Sequence, residues 1–321
     1  MSWLQRPPLP TVFRRRENDG EPVNDRRLRA RLGAGEVVRI GPGAYADGTE
    51  WRSLRPLERH AQIVWEASAR LRPGQIFSHF AAAALHGIDI LGQWPSTVDV
   101  AVPASTGGRS TGVVRRRATS RDLSTMAWGE HAATTPLQTA ADLISLLRFP
   151  EGVAVADQAL WRRRKPAPLV ALDDLLAEAA DRSGGRGSAR ALRAAQFATH
   201  LSDSVRESQS RVLISVMGFP APELQARFVL STGREAWTDF FWRDHSHIGE
   251  FDGAGKYREP ALLRGRTPEQ VVLEEKDRED ELRRQVRAFS RWRVPALAEP
   301  RQLYDILAAA GLPTTRPRPG R

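Results

Sequence analysis

The chain has 321 residues, 41% of them hydrophobic, with 48 Lys and Arg against 38 Asp and Glu and a formal charge of +10. This is enough to bury a core and form two or three domains, which excludes a disordered tail, and the charge makes nucleic acid the first expectation for a large partner. With no cysteine there is no disulfide framework or thiolate metal site; no apolar run approaches the ~20 residues that span a bilayer, and "MSWLQRPPLP" lacks the apolar stretch of a signal peptide, so a cytoplasmic protein without a membrane partner is expected.

Pro- and Arg-rich residues 1–23 lead into "NDRRLRARLGAGEVVRIGPGAYAD". Asn24 or Asp25 can cap a short helix with Leu28 and Leu32 at i, i+4, and Gly33 and Gly35 end it. "EVVRI", "GPG" and "AYAD" then read as strand, turn and strand, so residues 1–50 have the helix-then-hairpin order of a winged helix. Arg26, Arg27, Arg29 and Arg31 surround the narrow apolar stripe, and Arg39 lies in the hairpin. Guanidinium groups so placed reach phosphates or guanine edges in a major groove. The same residues also fit a merely solvated face.

Residues 51–183 alternate in character. "LERHAQIVWEASARL" has the helical period and "IFSHFAAAALHGI" reads as an Ala-rich helix; "TVDVAVP" and "GVVRRRAT" read as strands. "TPLQTAADLISLL" opens a helix with Thr135 as cap and Pro136 in the first turn. Basic clusters stand at Arg115–Arg117 and at 162–165, the latter at the end of an expected helix, where cations suit the dipole. His79 and His86 lie seven apart on one helix face without a carboxylate to complete a metal set, and read as packing or capping residues.

In this order, "RRLRARLGAGEVVRIGPGAYAD", "SHFAAAALHGI", "STVDVAVP" and "TTPLQTAADLI" resemble the winged-helix and following region of AbiEi-type antitoxins of type IV toxin–antitoxin systems, over roughly residues 10–160. The resemblance implies a DNA-binding autorepressor whose helix at 24–32 reads an operator and whose hairpin at 36–46 touches the backbone. It also implies that the middle region neutralises a nucleotidyltransferase-like toxin.

A loop rich in Gly and Arg, "DRSGGRGSARALRAAQ", precedes a third part over 200–310. "DSVRESQSRVLISVMG" reads as a helix with Val205, Val212, Leu213 and Val216 on its apolar side, carrying Glu207. "ARFVLS" and "AWTDFFW" read as paired strands and "HIGEFDG" as a third. "TPEQVVLEEKDREDELRRQV" reads as a helix capped by Thr267, with Pro268 first and Gln270 placed for a capping box, and "AFSRWRV" as a closing strand. Helix, three strands, helix and strand make an α/β sandwich. Overall the expected class is mixed α/β: a winged helix, an α/β middle region and a C-terminal sheet flanked by helices.

Strand alternation puts Glu250 and Asp252 on one face and turns Asp239 away from Phe240. If neighbouring strands set Asp239 beside Glu250, three carboxylates converge, which protons or a hard cation such as Mg²⁺ make tolerable. Lys256 would then steady an attacking water or the transition-state charge. These residues are similar to the PD-(D/E)XK nuclease superfamily, most closely its very-short-patch-repair-like branch, with an acid on the first helix, a "DF" strand and "E-x-DG". The resemblance assigns Glu207, Asp239, Glu250 and Asp252 to catalysis and Asp239, Glu250 and Asp252 to the metal; its lysine belongs where this chain has Asp252, with Lys256 four residues later. A purely structural alternative pairs Glu250 with Arg243 or Lys256, uses Asp252 for its Asp-Gly turn and Glu207 to support its own helix. Arg278 and Arg283 are expected to pair with Glu274 and Glu279 at i, i+4, and Trp237 and Trp242 to pack under the sheet. Three functions follow: a DNA-binding regulator of antitoxin type, a Mg²⁺-dependent DNA endonuclease, or a toxin-neutralising adaptor.

Overall fold

A computed structural model describes residues 12–14, 25–106, 110, 112–182, 184–253 and 268–320. Asn24, Lys256 and Thr267, expected above as cap, water-steadying lysine and cap, lie outside them. The chain divides into two units, Met1–Ala198 and Thr199–Arg321, and the class is mixed α/β with three sheets.

In the first unit, helix α1 (Asp25–Gly33) buries Leu28 against Val37 and Tyr45, with Leu32 packed alongside. That stripe leaves Arg26, Arg27, Arg29 and Arg31 exposed. Strands β2 (Val37–Gly41) and β3 (Ala44–Asp47) form the expected hairpin, and β1 (Val12–Arg14) pairs with the other edge of β3. Gly43 closes the turn with φ +73°, a conformation glycine adopts without a Cβ penalty. Asp47 then caps α2 (Gly48–Ser53), its carboxylate accepting the Thr49 and Glu50 amides at 2.8 and 2.9 Å.

The same unit holds a five-stranded sheet of β4 (Ile76–Phe77), β5 (Val98–Pro103), β6 (Val114–Thr119), β7 (Thr125–Trp128) and β8 (His131–Thr134), in the order β6-β5-β4-β8-β7. Its core joins Phe77, Val98, Val100 and Trp128 to Val64 of α3 (Pro56–Ser68) and Leu85 of α4 (His79–His86). Four further helices follow: α5 (Pro136–Leu146), α6 (Phe149–Leu160), α7 (Leu172–Asp181) and α8 (Ser188–Phe197). Thr135 caps α5 as expected, accepting the Gln138 amide at 3.3 Å. His86 is buried with its ring 2.7 Å from the Thr134 carbonyl, a packing role. Arg164, of the cluster after α6, is buried and donates to the carbonyls of Gly87 and Gln158.

Two expectations are corrected here. "IFSHFAAAALHGI" is not helical throughout: Ile76–Phe77 is a strand, paired on both sides, and the helix starts at His79. "DRSGGRGSARALRAAQ" is not all loop, since Ser188–Phe197 is helix; Ala191, Ala194 and Ala195, fully buried at helical spacing, hold it.

In the second unit, β9 (Glu223–Val229), β10 (Glu235–Trp242), β11 (His247–Phe251) and β12 (Ala288–Trp292) form a sheet in the order β12-β11-β10-β9. The first three are antiparallel; β11 and β12 are parallel, joined through α10 (Pro268–Arg284). Phe240, Trp242, Phe251 and Trp292 pack with Ile214 of α9 (Val205–Val216), Leu297 of α11 (Val294–Ala298) and Leu303 of α12 (Pro300–Ala309). Phe241 and Ile248 pack instead with Leu282 of α10. Gly249 is required by close approach: a Cβ there would meet the Trp292 and Trp242 rings at 2.7 and 2.9 Å. Against expectation, Val216 and Trp237 are exposed, at 43% and 41%, while Trp242 is buried. No helix among the described residues is long and apolar enough to cross a membrane.

Candidate functional site

The β10–β11 ladder runs from Trp242↔His247 to Phe240↔Gly249 and stops there. One step further, Asp239 and Glu250 stand at facing positions where the strands part. Asp239 Oδ2 accepts the Phe251 amide at 2.8 Å, so a side chain takes the acceptor place that a strand carbonyl would hold. On the other flank, the β9–β10 register passes from Thr238↔Ala226 to Phe240↔Leu224 without pairing Asp239 to Gln225. Gln225 has φ +52°, a strain of roughly 1–3 kcal/mol for a residue with a Cβ. The distorted position turns its amide to Glu207, donating to Oε2 at 3.4 Å.

Glu207 enters from the first turn of α9. Ser204 caps that helix, its hydroxyl accepting the Glu207 amide at 3.2 Å, while the carboxylate accepts the Asp203 amide and the Ser204 hydroxyl, each at 2.8 Å. Glu207 therefore supports its own helix and also faces Asp239. Burial, then the Asp239 charge, push its carboxyl up to about 8, against the pull of the Asp203 and Ser204 hydrogen bonds. At neutral pH Glu207 therefore keeps its proton beside Asp239 more readily than an exposed glutamate would.

Glu250 is 6% exposed. Its Oε1 accepts Arg278 Nη2 of α10 at 2.8 Å and its Oε2 accepts Arg291 Nη2 of β12 at 3.0 Å. The parallel register sets Glu250 beside Arg291, and α10 lowers Arg278 onto them. Glu275 and Glu279 complete the cluster, 3.4 and 2.9 Å from Arg291. Burial opposes the Arg278 charge, but Glu250, then Glu275 and Asp239, outweigh it and raise the guanidinium pKa. The pairing of Glu250 with Arg243 is thus corrected: Arg243 binds Glu223, at 2.5 Å. Arg278 reaches Glu250 and Glu275, its i−3 neighbour, because the acid on the sheet is desolvated and held in place; Arg283 pairs with Glu279 as expected.

Asp252 is engaged by the strand that follows α10. Its side chain pairs with Arg293, Nη2 to Oδ2 at 2.7 Å. Lys256 lies outside the described residues. Of the expected trio, Asp239 and Glu250 stand at facing positions and both act on Arg278, Glu207 joins Asp239, Glu250 holds two arginines and Asp252 holds a third. Among the described residues no group of three or more His, Asp or Glu is arranged to hold a metal ion. Glu207 and Asp239 offer oxygens suited to a hard cation, but the Glu250 oxygens already accept guanidinium donors, so this arrangement does not fit a three-carboxylate Mg²⁺ set.

In the first unit, Arg26, Arg27 and Arg29 are exposed on α1, Arg31 lies 3.3 Å from Glu36, and exposed Arg39 donates to the Gly41 carbonyl at 3.2 Å. The residues that sequence reasoning missed are Gln225, Arg278 and Arg291. Only the arginine content of "EKDREDELRR" and "RWRV" signalled the last two; the backbone of Gln225 carries no sequence signal.

No family model matches the chain. It is similar to two proteins of Mycobacterium tuberculosis, "Uncharacterized protein MT2308" of strain CDC 1551 / Oshkosh and "Uncharacterized protein Rv2248" of strain ATCC 25618 / H37Rv. Each is 32% identical over 137 residues, 42% of this chain and 48% of the relative. The chain spans about half the length of the curated relatives it matches.

Proposed function

We propose that this protein is a cytoplasmic DNA-binding regulator of AbiEi antitoxin type, whose second unit keeps a nuclease-like layout to engage nucleic acid. One observation carries the choice of binding over cutting: both oxygens of Glu250, the acid on which cleavage would depend, accept Arg278 and Arg291. The exposed arginines of α1 and Arg39 supply the phosphate contacts, and the toxin partner is a nucleotidyltransferase-like protein. In an electrophoretic shift assay the protein retards a fragment of its own promoter. Arg27→Ala with Arg31→Ala weakens binding and lowers the salt slope by about 1–2, from ~0.9 per phosphate contact. Promoter binding that is absent, or indifferent to these substitutions, overturns this reading and leaves the adaptor.

A second reading, a Mg²⁺-dependent endonuclease, is favoured by Glu207 facing Asp239, since burial and the Asp239 charge raise the Glu207 carboxyl as they do in sites that welcome a cation. It requires Glu250 to leave its arginines. Plasmid cleavage that needs Mg²⁺ and is lost in Glu250→Ala would establish it.

A further inference from the structure

The first unit contains a cavity of about 630 Å³, far from the acids discussed above in sequence and lined by Arg116, Arg117, Arg121, Arg182, Arg186 and Arg190. Its volume is that of a small-molecule site. Two basic stretches meet there: the edge strand β6 and the Gly/Arg segment that links α7 to α8. Asp142 is the one carboxylate in the lining.

The arginines divide by what they already hold. Arg117 donates to buried Asp99 at 2.8 Å, Arg121 lies 3.9 Å from Asp181, and Arg182 binds Asp142 and Glu178, each at 2.8 Å. Arg190 donates to the carbonyls of Leu146 and Leu147, which adds no negative charge. The side chains of Arg116 and Arg186 make no hydrogen bond or ion pair with a described residue. Among the described residues, three guanidinium charges around this cavity therefore lack a carboxylate partner, and like charges destabilise one another unless an anion enters.

Arg182 supplies an independent sign. Its side chain is nine-tenths buried, yet among the described residues Nη2 has no hydrogen-bond partner. A buried guanidinium donor left unmade costs free energy, which an oxygen acceptor in the cavity would recover once the Arg182 side chain turns Nη2 out of the wall. Ser78 and His79, at the N-terminus of α4, also line the cavity, and helix N–H groups there favour negative charge. His79 has φ +47°, a further strained position at this wall.

We infer that this cavity binds a small oligophosphate ligand, of the nucleoside di- or triphosphate class, with Arg116, Arg186 and Arg190 neutralising the phosphate chain and Arg182 Nη2 donating to one of its oxygens. Oligophosphate matches the excess of fixed cations, and its non-bridging oxygens suit the planar donor forks of arginine. Duplex nucleic acid is too large for such a volume.

The test is calorimetric titration of the 321-residue protein with ATP, sodium tripolyphosphate and inorganic phosphate at near-physiological salt. ATP and tripolyphosphate bind with one-to-one stoichiometry, and Arg116→Ala and Arg186→Ala each weaken binding by about tenfold, the loss of one charge-assisted hydrogen bond. Both side chains are exposed, so the variants fold; unchanged far-ultraviolet dichroism and melting temperature without ligand check this. The exposed Arg234→Ala, in the other unit, leaves affinity unchanged. Equal affinities for ATP and tripolyphosphate assign recognition to the phosphates alone, and tighter ATP adds a nucleoside contact. Absence of binding, binding that survives the Arg116→Ala/Arg186→Ala pair, or equal weakening by Arg234→Ala overturns the proposal. So does loss of duplex DNA binding in the pair without any oligophosphate binding to the wild type.

Discussion

Glu250→Ala leaves Arg278 and Arg291 facing each other without the carboxylate that holds them. The acid is 6% exposed and the two arginine side chains about a quarter exposed, at 23% and 24%. Hydrogen bonds to charged groups are worth roughly 1.5–3 kcal/mol each, and breaking a buried pair costs roughly 3–5 kcal/mol. Here the cost is smaller than a sum of the bonds, because Arg278 keeps Glu275 at 3.2 Å and the Trp237 carbonyl at 2.6 Å, and Arg291 keeps Glu279 at 2.9 Å. A destabilisation of about 3 kcal/mol follows, or roughly 10 °C in the melting temperature of a unit this size. Glu250→Gln, with one acceptor oxygen and no charge, falls about midway. Native-state hydrogen exchange on the β11 and β12 amides reads the change locally, so unfolding of the first unit does not confuse it. If both variants protect these amides to within about 0.5 kcal/mol of wild type, the Glu250–arginine cluster contributes nothing and the reasoning fails.

Further outcomes can be measured on the same preparations. Glu207 holds its proton up to about pH 8 in the fold but releases it near 4.5 when unfolded, so the native state binds more protons between those values and stability falls as pH rises through them. Burial lowers His60 and His247 to about 4 and also lowers His79 and His86, which gives an opposite slope that fades above pH 6.5, so the Glu207 effect is read as the difference between wild type and variant from pH 6.5 to 8. Glu207→Gln flattens denaturant stability in that window, and a slope unchanged by the substitution contradicts the raised carboxyl. Gly249→Ala drives a Cβ into Trp292 and Trp242 and costs about 1–3 kcal/mol; urea titration followed by tryptophan emission detects it, and a neutral result would mean the rings shift freely. Asp99→Asn leaves Arg115 and Arg117 around a neutral amide at a fully buried position and destabilises the first unit by about 3 kcal/mol, which a normal melting curve would contradict.

Local pattern placed most of the elements. Leu28 and Leu32 at i, i+4 locate α1, Thr135 followed by Pro136 marks the start of α5, and the alternation in "AWTDFFW" and "HIGEF" makes strands whose facing positions include Asp239 and Glu250. These features depend on neighbours a few residues apart, and the chain carries that information directly. Where a carboxylate points depends on partners far along the chain. Arg278 and Arg291 come 28 and 41 residues after Glu250, and they meet it because a parallel β11–β12 ladder and the helix between them bring three separate segments to one spot. The same holds for the arginine cavity, whose two basic stretches, a cluster at Arg115–Arg117 and a Gly/Arg-rich segment, lie far apart in the chain until the fold brings them together. Side-chain periodicity is set within one element, whereas charge neutralisation is set by whichever desolvated groups packing makes adjacent.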